Sequence, residues 1–145
     1  MIKVVHTTSD LRAHVDSWRK QNEKVALIPT MGYLHKAHVA LIETGRQSCS
    51  KSVVSIFVNP KQFGPDEDFE RYPRDEENDL RILTENQVDL AFVPHVDEMY
   101  PADFSTSISV SRLTQNLCAT SRPGHFSGVA TICAKLFNQC LPDVA

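Results

Sequence analysis

The chain has 145 residues, 41% of them hydrophobic, with 15 Lys and Arg against 18 Asp and Glu for a formal charge of −3. That suffices for one domain with a real core and is too little for two. The charge excludes a global field that would draw the protein to nucleic acid or an anionic membrane, so any phosphate-bearing ligand must be held by local geometry.

In chain order, the opening MIKVVHTTSD lacks the apolar core of a signal peptide. No later apolar run approaches the roughly 20 residues that span a bilayer. The expected compartment is therefore the cytoplasm, with no membrane partner. Ser9 is the expected cap of a helix running to about Asn22, with Leu11, Val15 and Trp18 on one stripe. KVALIPT is a short apolar run with a proline stop and reads as a buried strand. A turn and a helix to about Cys49 come next. SVVSIFVNP follows with the strongest strand signal in the chain, being β-branched, aromatic and ended by Asn59-Pro60. KQFGPDEDFERYP, with Gly64, Pro65 and Pro73, reads as a long loop, and loops of that length inside a domain are usually functional. A helix is expected from about Arg74 to Asn86. Its first turns hold Asp75, Glu76, Glu77 and Asp79, where the macrodipole favours anions, so the acidic run reads as helix-start chemistry rather than a metal site. VDLAFVP reads as a third buried strand and STSISV as a fourth, weaker one at an edge. A last helix spans about Phe126 to Cys140 with Val129, Ile132, Cys133, Leu136 and Phe137 turned inward. Cys49, Cys118, Cys133 and Cys140 contain no C-x-x-C pair and are expected as reduced thiols rather than a disulfide or zinc site.

Strand and helix alternating in this rhythm imply a parallel α/β sheet with helices on its faces. Ligands of such sheets bind beyond the carboxyl ends of the strands, which here are PTMGYLHKAH and NPKQFGPDEDFERYP. In the first, a helix beginning near His35 puts His35 and His38 on its first turn, beside unpaired backbone donors and the positive end of the dipole. Imidazoles there add donors that titrate near neutral pH. Gly32 frees the turn for a positive φ or a close ligand. Spacing alone leaves two other readings open. The rings are incidental surface residues, or they share a metal, for which no third ligand is spaced nearby.

IPTMGYLHKAHVALI, VVSIFVNPKQFGPDEDFERYPR and RPGHFSGVATICAKLFN, in that order, resemble the pantothenate synthetase (pantoate–β-alanine ligase) family along nearly the whole chain. The resemblance implies the Rossmann-like sheet of the nucleotidyltransferases that carry a His-x-Gly-His (HIGH) motif. It also implies ATP- and Mg2+-dependent condensation of pantoate with β-alanine through a pantoyl adenylate, in pantothenate biosynthesis, with Mg2+ arriving on the substrate rather than held by protein side chains. Carried over residue by residue, Met31, Gly32, Tyr33, Leu34, His35, Lys36, Ala37 and His38 are expected at ATP, with His35 and His38 catalytic near its phosphates and His38 the proton donor. A protonated imidazole there would stabilise the leaving pyrophosphate. Gln62 is expected on pantoate and β-alanine with Asn59 beside it. Met31, Phe57 and Phe63 are candidates for the apolar wall, and Tyr72 falls in the loop expected to act as a lid. Arg122, Gly124 and His125 also match a family block, and turn and cap explain them equally well. A homodimer through this domain is implied, with the SVVSIFV region involved.

Two departures stand out. The motif's glycine is Ala37, whose methyl could crowd the nucleotide base. The chain ends at LPDVA, whereas the family continues with a further strand, a phosphate-gripping Met-Ser-x-Arg loop and a small carboxyl-terminal domain. Residues 1–145 are therefore expected to be an incomplete nucleotide- and pantoate-binding domain with little or no turnover alone. The alternatives are a fragment that binds pantoate or ATP without chemistry, and a zinc hydrolase using His35 and His38.

Overall fold

Two apolar runs dictate the centre of the molecule. The computed structural model describes residues 2–64, 67, 69–111, 122 and 124–145. In it β2 (Val25–Thr30) and β3 (Lys51–Ile56) pair in parallel along their full length, from Val25 opposite Lys51 to Thr30 opposite Ile56. β4 (Leu90–Phe92) pairs in parallel with β3, and β1 (Lys3–Val5) with β4, giving the sheet order β1-β4-β3-β2. The helices are α1 (Thr8–Arg19), α2 (Lys36–Ser48), α3 (Glu76–Glu85), α4 (Val96–Met99) and α5 (His125–Cys140), with a 3-10 turn at Pro60–Gln62.

Strand periodicity sorts the side chains onto two faces. Val25, Leu27, Val53, Leu90 and Phe92 pack with Leu11 and Val15 of α1 and Ile132 and Leu136 of α5. Ala26, Ile28, Val54 and Ala91 pack on the other face with Ile42 of α2 and Leu83 of α3. Burial on both faces explains why β2 and β3 read as unbroken apolar runs. At roughly 1.5–3 kcal/mol for each large apolar side chain fully buried, these two clusters carry most of the stability. The three described cysteines, Cys49, Cys133 and Cys140, are free thiols, and Cys118 lies outside the described residues.

The site falls where it does because the chain leaves β2 for α2 on one face, while α5 returns from the other. It brings Val144 into a parallel bridge with Ala26 on the side of β2 away from β3. The carboxyl end of β2 is thus the point where the winding changes face, the usual ligand crevice of a parallel sheet.

Several expectations need correction. The cap of α1 is Thr7, whose hydroxyl accepts from Asp10 N–H, and the helix ends at Arg19 rather than Asn22. β1 and α4 have three and four residues, too short for periodicity to reveal. STSISV is not a strand. Its Ile108 and Val110 are 37% and 39% exposed, and Ile108 is tied to α5, its N–H donating to Thr131 and its carbonyl accepting from Ser127. Phe137 is 42% exposed and does not face inward. β3 lies between β4 and β2, with both of its edges paired within the chain. Among the described residues no helix is long and apolar enough to cross a membrane.

Candidate active site

The turn after β2 is held from below. Thr30 Oγ1 donates to the Ser55 carbonyl (2.7 Å) and accepts from Gly32 N–H (3.2 Å). Gly32 and Tyr33 then take positive φ, 79° and 53°, which turns two consecutive N–H groups the same way. Both meet the Asp79 carboxylate of α3, Tyr33 N–H at 2.9 Å and Leu34 N–H at 2.7 Å. Asp79 is 1% exposed. A Cβ on Gly32 would stand 2.9 Å from Asp79 Oδ2, so the glycine is required by contact as well as by φ. Asp79 is thus the functional residue that the sequence reading takes for dipole chemistry. Its run-mates Glu76 and Glu77 fit that reading, and Asp75 caps α3, accepting from Asn78 N–H.

The two histidines cap α2 reciprocally. His35 is the N-cap, and its Nδ1 accepts from Ala37 N–H at 3.2 Å, while His38 Nδ1 accepts from His35 N–H at 3.2 Å. His38 N–H is satisfied by the His35 carbonyl. The first-turn amides of Ala37 and His38 are therefore not bare, contrary to the simple helix-start expectation. Because backbone N–H groups can only donate, each Nδ1 is unprotonated and each ring carries its proton on Nε2. The rings lie 4.1 Å apart, centroid to centroid, and His35, Lys36 and Ala37 are exposed. Burial, reinforced by the neighbouring His35 and opposed by Asp79, holds His38 below the ordinary value of 6.5. A neutral ring presenting Nε2–H replaces the protonated one expected from sequence.

Facing His38 is the 3-10 turn that follows β3. Asn59, 1% exposed, donates from Nδ2 to Gln62 Oε1 (3.0 Å) and to the Gly128 carbonyl (3.1 Å). Gln62 Nε2 lies 3.1 Å from Met31 Sδ. The turn and α5 approach backbone to backbone, since a Cβ on Gly128 would sit 2.2 Å from the Lys61 carbonyl oxygen. His125 Nδ1–H donates to the Gln62 carbonyl (2.8 Å), and Arg122 forms a two-point ion pair with Glu67, the second contact 2.6 Å long. Arg122 and His125 therefore anchor Glu67 and the Gln62 turn, beyond acting as turn and cap.

These elements enclose a cavity of about 230 Å3 lined by Met31, His38, Asn59, Gln62, Tyr72 and an apolar wall. Phe57 contributes to the wall, with Val129, Ile132, Cys133 and Leu136 of α5. Phe63 does not line it, packing instead against Phe69 and Tyr72. The α5 residues read in sequence as plain core, because an apolar wall and a core obey the same periodicity. A larger cavity of about 330 Å3 opens on the other flank of Met31, toward Ile56 and His95. It holds neither motif histidine, and Arg74 there is engaged by the carbonyls of Phe69, Glu70 and Tyr72. Among the described residues no cluster of three or more His, Cys, Asp or Glu is arranged to hold a metal ion.

The chain is a parallel α/β sheet with a two-histidine cap and a small mixed-polarity cavity at its switch point, where sheets of this class commonly hold ligands. Comparison with known proteins is specific. The pantoate-beta-alanine ligase family matches residues 3–145. Pantothenate synthetase of Paramagnetospirillum magneticum is 51% identical over 99% of this chain and 51% of its own length. That of Pelotomaculum thermopropionicum is 50% identical over 98% and 50%. Among solved structures, pantothenate synthetase from Thermus thermophilus superposes with a TM-score of 0.91 at 48% identity, over 97% of this chain and 50% of its own. Pantoate-beta-alanine ligase from Francisella tularensis, complexed with beta-gamma ATP and beta-alanine, also gives 0.91, at 34% identity over 99% and 55%. The chain belongs to the pantoate-beta-alanine ligase family. It spans about half the length of the relatives it matches.

Two outcomes follow for the motif. Asp79→Ala strands two N–H groups, one of them fully buried, and should cost about 3 kcal/mol in urea denaturation; Asp79→Asn, keeping one acceptor, should cost less. A loss near zero for Asp79→Ala would contradict the tie. By nitrogen-15 NMR, His38 should titrate below 6.5 with its proton on Nε2 when neutral. A pKa lower in the folded than in the unfolded chain gives stability that is full above about 6.5 and lost as pH falls through the folded value. The protection factor of the His35 amide, its exchange rate corrected for the intrinsic pH dependence, should therefore fall as pH drops through that window, and His38 titrating above 6.5 would contradict this.

Proposed function

We propose that the chain carries the pantoate pocket and one side of the ATP site of a pantoate–β-alanine ligase. The observation that supports this best is the convergence of His38, Gln62, Asn59 and Tyr72 on one cavity of about 230 Å3 with an apolar wall. That volume lies below the range for drug-sized ligands and suits a small branched hydroxy acid rather than a whole nucleotide. In this reading pantoate's methyls rest on Met31, Phe57 and the α5 side chains, and Gln62 meets its polar groups. ATP lies over Met31 to His38, its phosphates outward at Nε2–H of His35 and His38, with Mg2+ on the phosphates.

The reaction then has two displacements. A pantoate carboxylate oxygen attacks the α-phosphorus in line and pyrophosphate leaves. The amine nitrogen of β-alanine next attacks the acyl carbon of the adenylate, AMP leaves and the nitrogen loses a proton. The protein's contribution is alignment and stabilisation of charge on the leaving pyrophosphate, for which neutral rings donating from Nε2 serve as fixed dipoles. Tyr72 lines the cavity, and in this reading it excludes water from a hydrolysable adenylate. Ala37, exposed on the same turn, adds a methyl where the base would lie, and ATP should bind less tightly than to a glycine at that position. A homodimer through this domain is part of the same reading.

The second reading, binding without turnover, is favoured by the chain spanning half its relatives' length. Calorimetric titration with pantoate and with Mg-ATP, beside an assay of pantothenate formation, separates the two. Saturable heat with pantoate and turnover well below about 1 per second are expected. Absence of heat with both ligands would overturn the site, and turnover at or above that rate would overturn its incompleteness.

A further inference from the structure

Tyr100 lies outside the cavity yet reaches its polar contact through one intermediary. Its hydroxyl donates to Asn59 Oδ1 at 2.7 Å. The same oxygen accepts from Lys61 N–H at 3.3 Å, and the amide nitrogen of Asn59 donates to the Gly128 carbonyl. The Gly128 carbonyl sets which end of the Asn59 amide is nitrogen, and on the oxygen end the 2.7 Å bond from Tyr100 is shorter than the 3.3 Å contact from Lys61. Gln62 must then offer its oxygen to Asn59 Nδ2, and its own NH2 is turned to the Met31 side of the cavity.

The Tyr100 ring is fixed independently of its hydroxyl. It packs against Phe57 and Phe104, with centroids 6.1 and 5.1 Å away, and the Lys61 and Lys135 ammonium groups lie 5.0 and 5.7 Å from its centre. Burial pushes the hydroxyl up to about 12, so it remains a donor throughout the neutral range.

We propose that Tyr100 is a positioning residue: its hydroxyl, the shortest bond to the Asn59 amide oxygen, steadies buried Asn59 in the orientation that makes Gln62 a hydrogen-bond donor toward the cavity. The selected ligand group is consequently an acceptor, a carboxylate or hydroxyl oxygen, and an ammonium group is rejected there. This rests on the preceding reading only in taking Gln62 to face the ligand.

Tyr100→Phe removes the hydroxyl and keeps the ring. In nitrogen-15-labelled chain, the Asn59 side-chain amide hydrogens should exchange roughly threefold to tenfold faster, the loss of one hydrogen bond. The order parameter of Gln62 Nε2 should fall, while backbone amides of β2 and β3 keep their protection. Unchanged side-chain exchange, or an equal loss of protection across β2 and β3, would overturn the proposal. In titrations, Tyr100→Phe should weaken pantoate several-fold and leave Mg-ATP unchanged, and equal weakening of both would also overturn it. Failure of the unsubstituted chain to bind pantoate would sink the pantoate reading, whereas the exchange measurement would still decide the role of Tyr100.

Discussion

The Asp79 carboxylate accepts the consecutive N–H groups of Tyr33 and Leu34, and the placement of both histidines follows from that contact. Without it, a turn with two positive φ values, one on a tyrosine, would be strained and its two inward amides would lack acceptors. With it, Leu34 enters the core and His35 arrives extended at the cap position. Each imidazole is then fixed by a backbone N–H on its inner nitrogen. Asp79 belongs to α3, so the turn at the end of β2 is positioned by an element of the next crossover along the chain.

Much of this was legible in the sequence, and the reasons for the rest are physical. β2 and β3 are buried on both faces and announce themselves as apolar runs, while Leu11, Val15, Ile132 and Leu136 follow helical spacing because each helix covers one face of the sheet. The two histidines stand out at a helix start beyond a strand end, whereas Asn59 and Gln62 are singled out only by the family resemblance. Asp79 is not findable that way. A carboxylate at the start of a helix has a sufficient local explanation, and only tertiary contact distinguishes it from Glu76 and Glu77. Thr7 and Ser9 are equally good caps by type, and the chain's approach from β1 selects Thr7. STSISV alternates like a strand, but its Ile108 backbone groups find hydroxyls of α5 instead of a ladder.

The candidate site has a buried polar layer on one side and the Tyr72 side chain on another. Asn59, Gln62, Gly128 and His125 join the 3-10 turn to α5 through backbone groups, which leaves little freedom in the direction of the Gln62 amide. The loop that supplies Tyr72 is held by Phe63, Phe69, Arg74 and the Glu67–Arg122 ion pair, contacts at the surface that can exchange with water.

The central claim is that outward imidazole protons, rather than bare helix amides, receive the nucleotide's phosphates. A crystal structure of the chain with Mg-ATP tests it most directly. The account predicts phosphate oxygens within hydrogen-bond distance of Nε2 of His35 and His38, with Asp79 still bonded to Tyr33 and Leu34. Phosphates bound elsewhere, or histidine rings turned so that Nδ1 faces the ligand, would contradict it.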